Sequence, residues 1–316
     1  MSELDAFADD WRLLAERSRN VFATWEWADA WWRHFGRGEL RVGLEPGSFV
    51  LPLYVQRQGP FRLLRFIGHG HADELGPIGD AEAATRVFED AFAEGGFHLF
   101  LGEEAGPGWA ARLRARVVER TSSPVVELNQ TWDDYLAARS ANFRSQLRSA
   151  ERRLDERGAT FRLADARSLE TDLSTLFRLH RARWPGSPWF ASAEPFHREF
   201  AATALKRDWL RLWMLELEGR PVASWLGYRF QGVESYYQAV RDPELQRERV
   251  GFVLLAHTIR EALQDGMSEY RLLRGDERFK YRFATTDPGV ETIARPRGLV
   301  GRLALALRTA RRRGAS

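Results

Sequence analysis

The sequence predicts an α/β protein built from two units of similar construction, and three observations support this class. A chain of 316 residues is longer than a typical single domain. Residues 210–273 show three strands joined by tight turns, then a helix and a further strand. The first half of the chain has a rough version of the same order, with helices, a hairpin, a helix and a strand.

The composition is that of an ordinary globular protein, with 44% apolar and 29% charged residues. The chain contains no cysteine, which excludes disulfides, thiolate zinc sites and a cysteine nucleophile, and fits a reducing compartment. No apolar run reaches membrane-spanning length, and the acidic N-terminus lacks the apolar core of a signal peptide. The sequence therefore predicts a cytoplasmic protein.

The first predicted domain covers residues 1–128. Its predicted helices are 26–35, 81–93 and 107–120, and its predicted strands are 40–45, 48–57, 61–68, 97–101 and 124–128. The turn at 45–48 predicts a β-hairpin. The glycine-rich loop 68–80 contains two histidines and three acids, but such loops are usually plain loops, and we expect no metal site there.

The second predicted domain covers residues 129–295 and begins with a Thr131 helix cap. Its predicted helices are 142–157, 168–184, 193–206 and 252–266, and its predicted strands are 159–164, 210–218, 221–230, 233–241 and 268–273. Two prolines predict a loop at 185–190.

Residues 296–316 form a basic C-terminal tail of apolar residues and arginines. We expect this tail to dock on the core, with peripheral contact to an anionic membrane as the alternative.

A basic loop ending in Gly251 leads from a strand into the predicted helix 252–266. The first N–H groups of a helix have no internal partner, and the helix dipole adds positive potential, so this junction suits an anion. We expect a phosphate to bind at Val250, Gly251, Phe252 and Val253, with Arg249 adding charge. A plain loop-to-helix junction is the alternative.

Five segments of the second half resemble the GNAT superfamily of N-acetyltransferases. They are residues 142–154, 179–184, 236–237, 251–259 and 273–282. The likeness is closer to the CelD/BcsL-type acetyltransferases, relatives of the Fem-type aminoacyl transferases. The resemblance implies tandem GNAT-like units, each a mixed and mostly antiparallel sheet flanked by helices, with a degenerate first unit.

The resemblance places the reacting centre after the last core strand. Acyl transfer to an amine needs a base for its proton and a partner for the oxyanion. We predict Asp276 as the base or a substrate anchor and Lys280 as the partner of the oxyanion or of a phosphate. Either Tyr236 or Tyr237 could bind substrate or donate to the leaving thiolate, with packing as the alternative, and we select Tyr237. In a helix Asp276 and Lys280 would face each other, which is also the spacing of a structural ion pair.

Further residues are predicted to bind substrate. They are Arg144, Arg148, His180, Arg183, Trp184 and Glu277. Arg144 and Arg148 share one face of a charged helix, which suits a phosphate, a tRNA or an anionic glycan and equally a solvated surface. His180 is also typical of a hydrogen-bonded structural histidine.

The predicted function is acyl transfer from acetyl-CoA or another acyl-CoA to an amine or hydroxyl. The resemblance implies a cell-envelope or exopolysaccharide precursor as acceptor. The acyl-CoA loop of the family has Arg or Gln, two residues, Gly, one residue, then Gly or Ala, and residues 248–253 keep only the central glycine. The alternatives are a Fem-like transferase that uses aminoacyl-tRNA and a non-catalytic scaffold for polysaccharide assembly.

Overall fold

The computed structural model describes residues 2–186 and 188–313 and forms two compact units. The first unit contains the chain up to Ser123, the short segment Arg274–Asp276 and the chain from Pro288 onward. The second unit contains Pro124–Leu273 and Glu277–Asp287.

The described helices and strands alternate along the chain. The α-helices are α1 (Ala8–Ala15), α2 (Trp25–Phe35), α3 (Ala81–Glu94), α4 (Trp109–Arg112), α5 (Trp132–Ala137), α6 (Ala141–Asp155), α7 (Leu169–Arg183), α8 (Pro188–Ser192), α9 (Glu194–Lys206), α10 (Val250–Gln264) and α11 (Gly298–Arg313). The strands are β1 (Glu39–Leu40), β2 (Gly43–Glu45), β3 (Phe49–Leu51), β4 (Leu53–Gln58), β5 (Phe61–Phe66), β6 (Ile78–Gly79), β7 (Leu99–Ala105), β8 (Arg116–Thr121), β9 (Val125–Glu127), β10 (Thr160–Leu163), β11 (Leu210–Leu217), β12 (Arg220–Phe230), β13 (Val233–Arg241), β14 (Glu269–Arg271) and β15 (Val290–Pro296).

The main sheets of the two units have the same construction. The first unit has the order β1-β4-β5-β7-β15-β8, and the second has β10-β11-β12-β13-β14-β9. Each sheet contains one parallel pair, β5 with β7 and β13 with β14, and its other neighbours are antiparallel. The prediction of tandem units with mixed, mostly antiparallel sheets is therefore confirmed. A small antiparallel sheet, β2-β3-β6, completes the first unit and contains the predicted hairpin.

Helices cover both faces of the second sheet. On one face, α6 and α10 bury Phe143, Leu147 and Ile259 against Trp225 of β12. Tyr228 lies three residues further along β12 and therefore points to the opposite face, where its ring lies 5.0 Å from Phe200 of α9. Both faces are thus buried, which explains why β12 is apolar almost throughout.

One predicted helix was wrong. Residues 107–120 form only the single turn of α4 and then the strand β8. Arg114 adopts a left-handed backbone with φ 49°, which ends the helix. The β-branched residues Val117, Val118 and Thr121 then favour the strand.

Several further elements were not predicted, among them α1, β6, α8 and β15. Residues 185–190 were expected to be a loop, but Pro188 begins the short helix α8, a position where its missing N–H costs nothing. Ser187 lies outside the described residues. The sequence analysis also missed β15, which lies inside the first sheet between β7 and β8.

Candidate functional site

The candidate site begins where the two parallel strands of the second unit stop pairing. β13 and β14 are bonded over three residue pairs, ending at Ser235 and Arg271. β13 then continues to Arg241, and in the described part of the chain it pairs there with β12 alone. The free edge of β13 exposes backbone groups that an extended ligand can bond.

A β-bulge lies at the same point of β13. Leu226 pairs with Gln238 and Gly227 pairs with Tyr236, so Tyr237 is the extra residue. Bulges redirect side chains and are frequent beside functional sites. The bulge therefore decides which side chain points to which face of the sheet.

Tyr236 and Tyr237 lie in different surroundings. Tyr237 is 7% exposed and packs between helices, with ring centroids 5.4 Å from His197 and 6.4 Å from Phe190. Tyr236 packs on the α10 side of the sheet, with its ring 6.2 Å from that of Phe279. The predicted residue Tyr237 thus lies among aromatic rings, and Tyr236 lies beside the charged segment after β14.

Burial keeps the phenol of Tyr236 protonated. Burial raises the pKa of Tyr236 well above its usual value, the carboxylate of Glu277 raises it further, and Arg183 acts in the opposite direction. A phenol that stays protonated at neutral pH can donate a hydrogen bond to a developing anion.

Lys280 is a buried cation next to the same carboxylate. Its side chain is 4% exposed, and its Nζ lies 3.0 Å from Oε2 of Glu277. Nζ also donates to the carbonyl of Leu273 at 3.2 Å. Leu273 has φ 58°, a strained conformation for a leucine, so Lys280 holds a strained turn at the end of β14.

The segment around Asp276 is not helical. Only Lys280–Arg282 form a short 3-10 helix, so the i, i+4 arrangement of Asp276 and Lys280 is not formed. Asp276 is exposed, and the carboxylate that Lys280 contacts is Glu277. A catalytic role for Asp276 remains a prediction.

The N-terminus of α10 is open to a ligand. Arg249, the residue before the helix, is left-handed with φ 60° and gives no side-chain cap. A Cβ on Gly251 would meet only the Cδ of Arg241, at 3.6 Å, which is ordinary contact. The first turn therefore presents the partly exposed Gly251, whereas Val250 is buried. The N–H groups of Phe252 and Val253 already donate to the carbonyl of Arg249.

Two arginines meet on one neutral side chain beside this helix end. Arg249 Nη1 lies 2.6 Å and Arg282 Nη2 lies 2.8 Å from Oε1 of Gln146. The Arg282 guanidinium also lies 4.5 Å above the ring of Phe252. Burial and the charge of Arg249 lower the pKa of Arg282. In the described part of the chain neither arginine pairs with a carboxylate, so an incoming anion would be stabilised here.

A cavity of about 430 Å³ adjoins this arginine pair. It is lined by Arg139, Ser140, Gln146 and Arg282 among others. Arg139 donates to the carbonyls of Phe283 and Ala284 and forms a fixed wall. The cavity is large enough for a group the size of a phosphate.

A second arginine pair lies on the Gly251 side of the helix end. Burial lowers the pKa of Arg241, and so does the charge of Arg183, while Asp242 acts in the opposite direction. Arg241 donates to Oε1 of Gln246 at 3.0 Å. We call Arg183, Arg241, Arg249 and Arg282 the basic cluster.

The predicted residues His180 and Trp184 lie at the end of α7. His180 is 3% exposed, and its ring lies 5.0 Å from those of Trp184 and Phe190. Burial lowers the pKa of His180, and Arg181 lowers it further. This is the environment of a neutral packed histidine, while Trp184 carries the Arg183 guanidinium 4.7 Å from its ring.

The predicted pair Arg144 and Arg148 has two different placements. Arg144 donates to the carbonyls of Ala137 and Arg139, which secures the end of α5. Arg148 is exposed on α6. The structure thus gives Arg144 a structural contact and leaves Arg148 accessible to a ligand.

Side chains of the glycine-rich loop 68–80 bond to other residues of the first unit. His69 Nδ1 lies 3.1 Å from the Tyr54 hydroxyl, and Asp73 accepts from Arg274 at 2.9 Å. Within residues 2–186 and 188–313, no three His, Asp or Glu side chains gather as metal ligands would.

Sequence reasoning did not select Gln146, Tyr236 or Arg241. Gln146 and Arg282 are 136 residues apart, so no local pattern joins them. The positive charge after β14 was a visible signal for Arg282, whereas the choice of Tyr236 over Tyr237 depends on the bulge.

Residues 141–281 match a family model described as an acetyltransferase (GNAT) domain. This stretch covers fewer than half of the 316 residues but contains Arg183, Arg241 and Arg249 of the basic cluster, Tyr236 and Lys280, and it ends one residue before Arg282. It is a GNAT-type acetyltransferase domain, and the protein is accordingly a transferase. No curated protein matches the chain in sequence.

Three solved structures share the fold of nearly the whole chain. FemX has a TM-score of 0.65 at 9% identity, covering 92% of this chain and 96% of FemX. L-PGS from Bacillus licheniformis has a TM-score of 0.59 at 13% identity, covering 90% and 94%. The C-terminal domain of a protein described as a lysylphosphatidylglycerol synthetase from Agrobacterium fabrum has a TM-score of 0.59 at 14% identity, covering 86% and 88%.

Proposed function

We propose that the second unit transfers an acyl group from an acyl-CoA to an amine or hydroxyl of a cell-envelope or exopolysaccharide precursor. The observation that carries this proposal is the arginine pair Arg249 and Arg282. Both guanidinium groups meet on the neutral Gln146 beside the open N-terminus of α10. An anionic donor would supply the negative charge that this place lacks.

The donor's phosphates lie at the N-terminus of α10, between the two arginine pairs of the basic cluster. Gly251 lets a phosphate oxygen approach the helix backbone closely, because no Cβ stands in the way. The acyl arm then follows the free edge of β13 towards Tyr236. Acyl-CoA as donor places the reaction in the cytoplasm.

The acceptor amine attacks the carbonyl carbon of the thioester. The new bond forms from the nitrogen lone pair, the carbon–sulfur bond breaks, and the electron pair leaves on sulfur. Glu277 takes the proton from the amine, and the Tyr236 hydroxyl donates to the departing thiolate. Lys280 keeps Glu277 and the turn at Leu273 in position.

The acceptor class follows from the resemblance to the CelD/BcsL-type enzymes. FemX and L-PGS share the fold of this chain, and a shared fold does not identify the acceptor.

A second donor is aminoacyl-tRNA. The loop at residues 248–253 keeps only the central glycine of the acyl-CoA pattern, which weakens the case for CoA. Arginines that bind the phosphates of CoA can bind those of an RNA end equally well.

Thermal shift with CoA, acetyl-CoA, succinyl-CoA and bulk tRNA separates these donors, because a ligand that binds the native state raises the melting temperature. We expect a shift with the CoA compounds that the double variant Arg249→Gln/Arg282→Gln abolishes. Arg153→Gln, an exposed arginine on α6, is the matched control. A shift with tRNA alone would make aminoacyl-tRNA the donor, and no shift with any ligand would favour the scaffold.

A further inference from the structure

The C-terminal helix α11 exposes its most apolar face. Leu299 is 81% exposed, Leu303 55% and Leu307 44%, and Val300 is 47% exposed. Leu299, Leu303 and Leu307 follow one another at intervals of four residues, so they form one stripe along the helix, with Val300 at its border. We call these four residues the apolar stripe.

The opposite face of α11 holds the helix on its own unit. Ala304 is buried in a cluster with Leu99 and Leu101. A Cβ on Gly301 would lie 2.0 Å from the carbonyl oxygen of His98, so the helix backbone approaches closely there. Arg308 turns towards the protein and pairs with Glu103. These contacts hold α11 on the first unit, with Arg308 facing the protein and the leucines of the apolar stripe facing outward.

This distribution is the reverse of an ordinary surface helix, which buries its apolar side chains and exposes its charges. Isolated exposed apolar residues are normal, but a contiguous stripe indicates an interaction surface.

The charge around the stripe identifies its partner. From Thr292 to the end of the chain there are seven arginines and no acid, and two of the seven, Arg295 and Arg308, pair with Glu89 and Glu103. Arg302 is exposed next to the stripe, and with Arg116 it borders an adjoining groove of about 750 Å³ that is mostly apolar. A second copy of this face would bring arginines against arginines, whereas an anionic lipid surface offers hydrocarbon for the leucines and phosphates for the arginines.

We propose that α11 is an interfacial helix that lays its apolar stripe on an anionic lipid bilayer. Of the described helices, none is long and apolar enough to cross a membrane. The contact is therefore with one leaflet, with α11 lying along the surface. This inference does not depend on the donor or the acceptor of the transferase reaction.

Vesicle flotation of the full chain tests the proposal. We expect binding to phosphatidylcholine vesicles that contain phosphatidylglycerol, weaker binding to phosphatidylcholine alone, and a further loss when salt is raised. The double variant Leu299→Gln/Leu303→Gln should reduce partitioning at least about tenfold, because two leucines no longer enter the lipid. Leu13→Gln removes a leucine that is 51% exposed elsewhere in the same unit and should bind as the wild type does.

Three outcomes would overturn the proposal. The wild type could fail to bind phosphatidylglycerol vesicles, or the double variant could bind as well as the wild type. Sedimentation could instead show a dimer that the double variant dissociates, with no vesicle binding, and the occupant would then be a second copy. Should the double variant not fold, Arg302→Glu provides the same test, because it reverses an exposed charge and should weaken binding to the anionic vesicles.

Discussion

At the residue scale, the proposed chemistry depends on Glu277. Glu277→Gln keeps the size of the side chain and removes its negative charge, so the acceptor amine loses its base. We expect turnover to fall about 10²–10⁴-fold, the usual range for one positioned acid–base group. A steady-state assay with the CoA compound that binds most tightly measures this change.

Two further variants serve as controls for Glu277. Asp276→Asn tests the base that the sequence predicted, and a larger loss there than in Glu277→Gln would return the role to Asp276. Lys280→Met leaves the carbonyl of Leu273 without its donor, so we expect the free energy of unfolding to fall by about 1–3 kcal/mol. Normal stability of Lys280→Met with a large loss of turnover would make Lys280 itself catalytic.

His69 is expected to make the stability of the first unit depend on pH. Burial lowers the pKa of His69 to about 3, from a usual value of 6.5. The unfolded chain therefore binds a proton near pH 6.5 and the folded chain does not, so stability is present above pH 6.5 and is lost as the pH falls below it. We expect a loss of about 2 kcal/mol by pH ~5. Urea unfolding at several pH values measures this loss, and the same slope in His69→Gln would contradict it.

At the element scale, a substitution at the N-terminus of α10 is expected to remove donor binding without affecting folding. Gly251 does not adopt a left-handed backbone, and a side chain there would meet only Arg241 at ordinary distance. Gly251→Val should therefore leave the melting temperature nearly unchanged while it blocks the phosphate's approach to the helix. We expect the thermal shift caused by CoA to disappear.

Gly251→Ala is the graded control, with a smaller side chain and a partial effect. Equal CoA binding by folded Gly251→Val and wild type would place the donor elsewhere.

At the scale of the whole molecule, the first unit depends on the end of the chain. β15 lies between β7 and β8, inside the sheet, although it follows the second unit in sequence. Truncation after Asp287 removes β15 and leaves both neighbouring strands with unpaired edges. We expect loss of hydrogen-exchange protection in β7 and β8, with that of β12 and β13 retained.

Truncation after Ala310 keeps β15 and is the control for this experiment. Protected β7 and β8 in the chain that ends at Asp287 would show that the first sheet forms without β15.

Much of the second unit could be predicted from its sequence. Apolar runs separated by the turns at Gly219 and Gly232 predicted β11, β12 and β13, and Gly158 at φ 67° ends the charged segment of α6 as expected. The predicted Thr131 cap also forms, since its hydroxyl accepts the N–H of Asp134. These features depend on residues within one or two turns of each other, which is the range over which a sequence pattern operates.

The sequence by itself determined the fold class, most element positions and the basic junction before α10, because periodicity, caps and local charge act along the chain. Tertiary structure decided the rest. It placed Gln146 between Arg249 and Arg282, paired Lys280 with Glu277, turned Tyr236 to the α10 side of the sheet and set β15 inside the first sheet. Each of these depends on strand register, a bulge or a contact between residues far apart in sequence, and such pairings are selected by the packing of the whole unit.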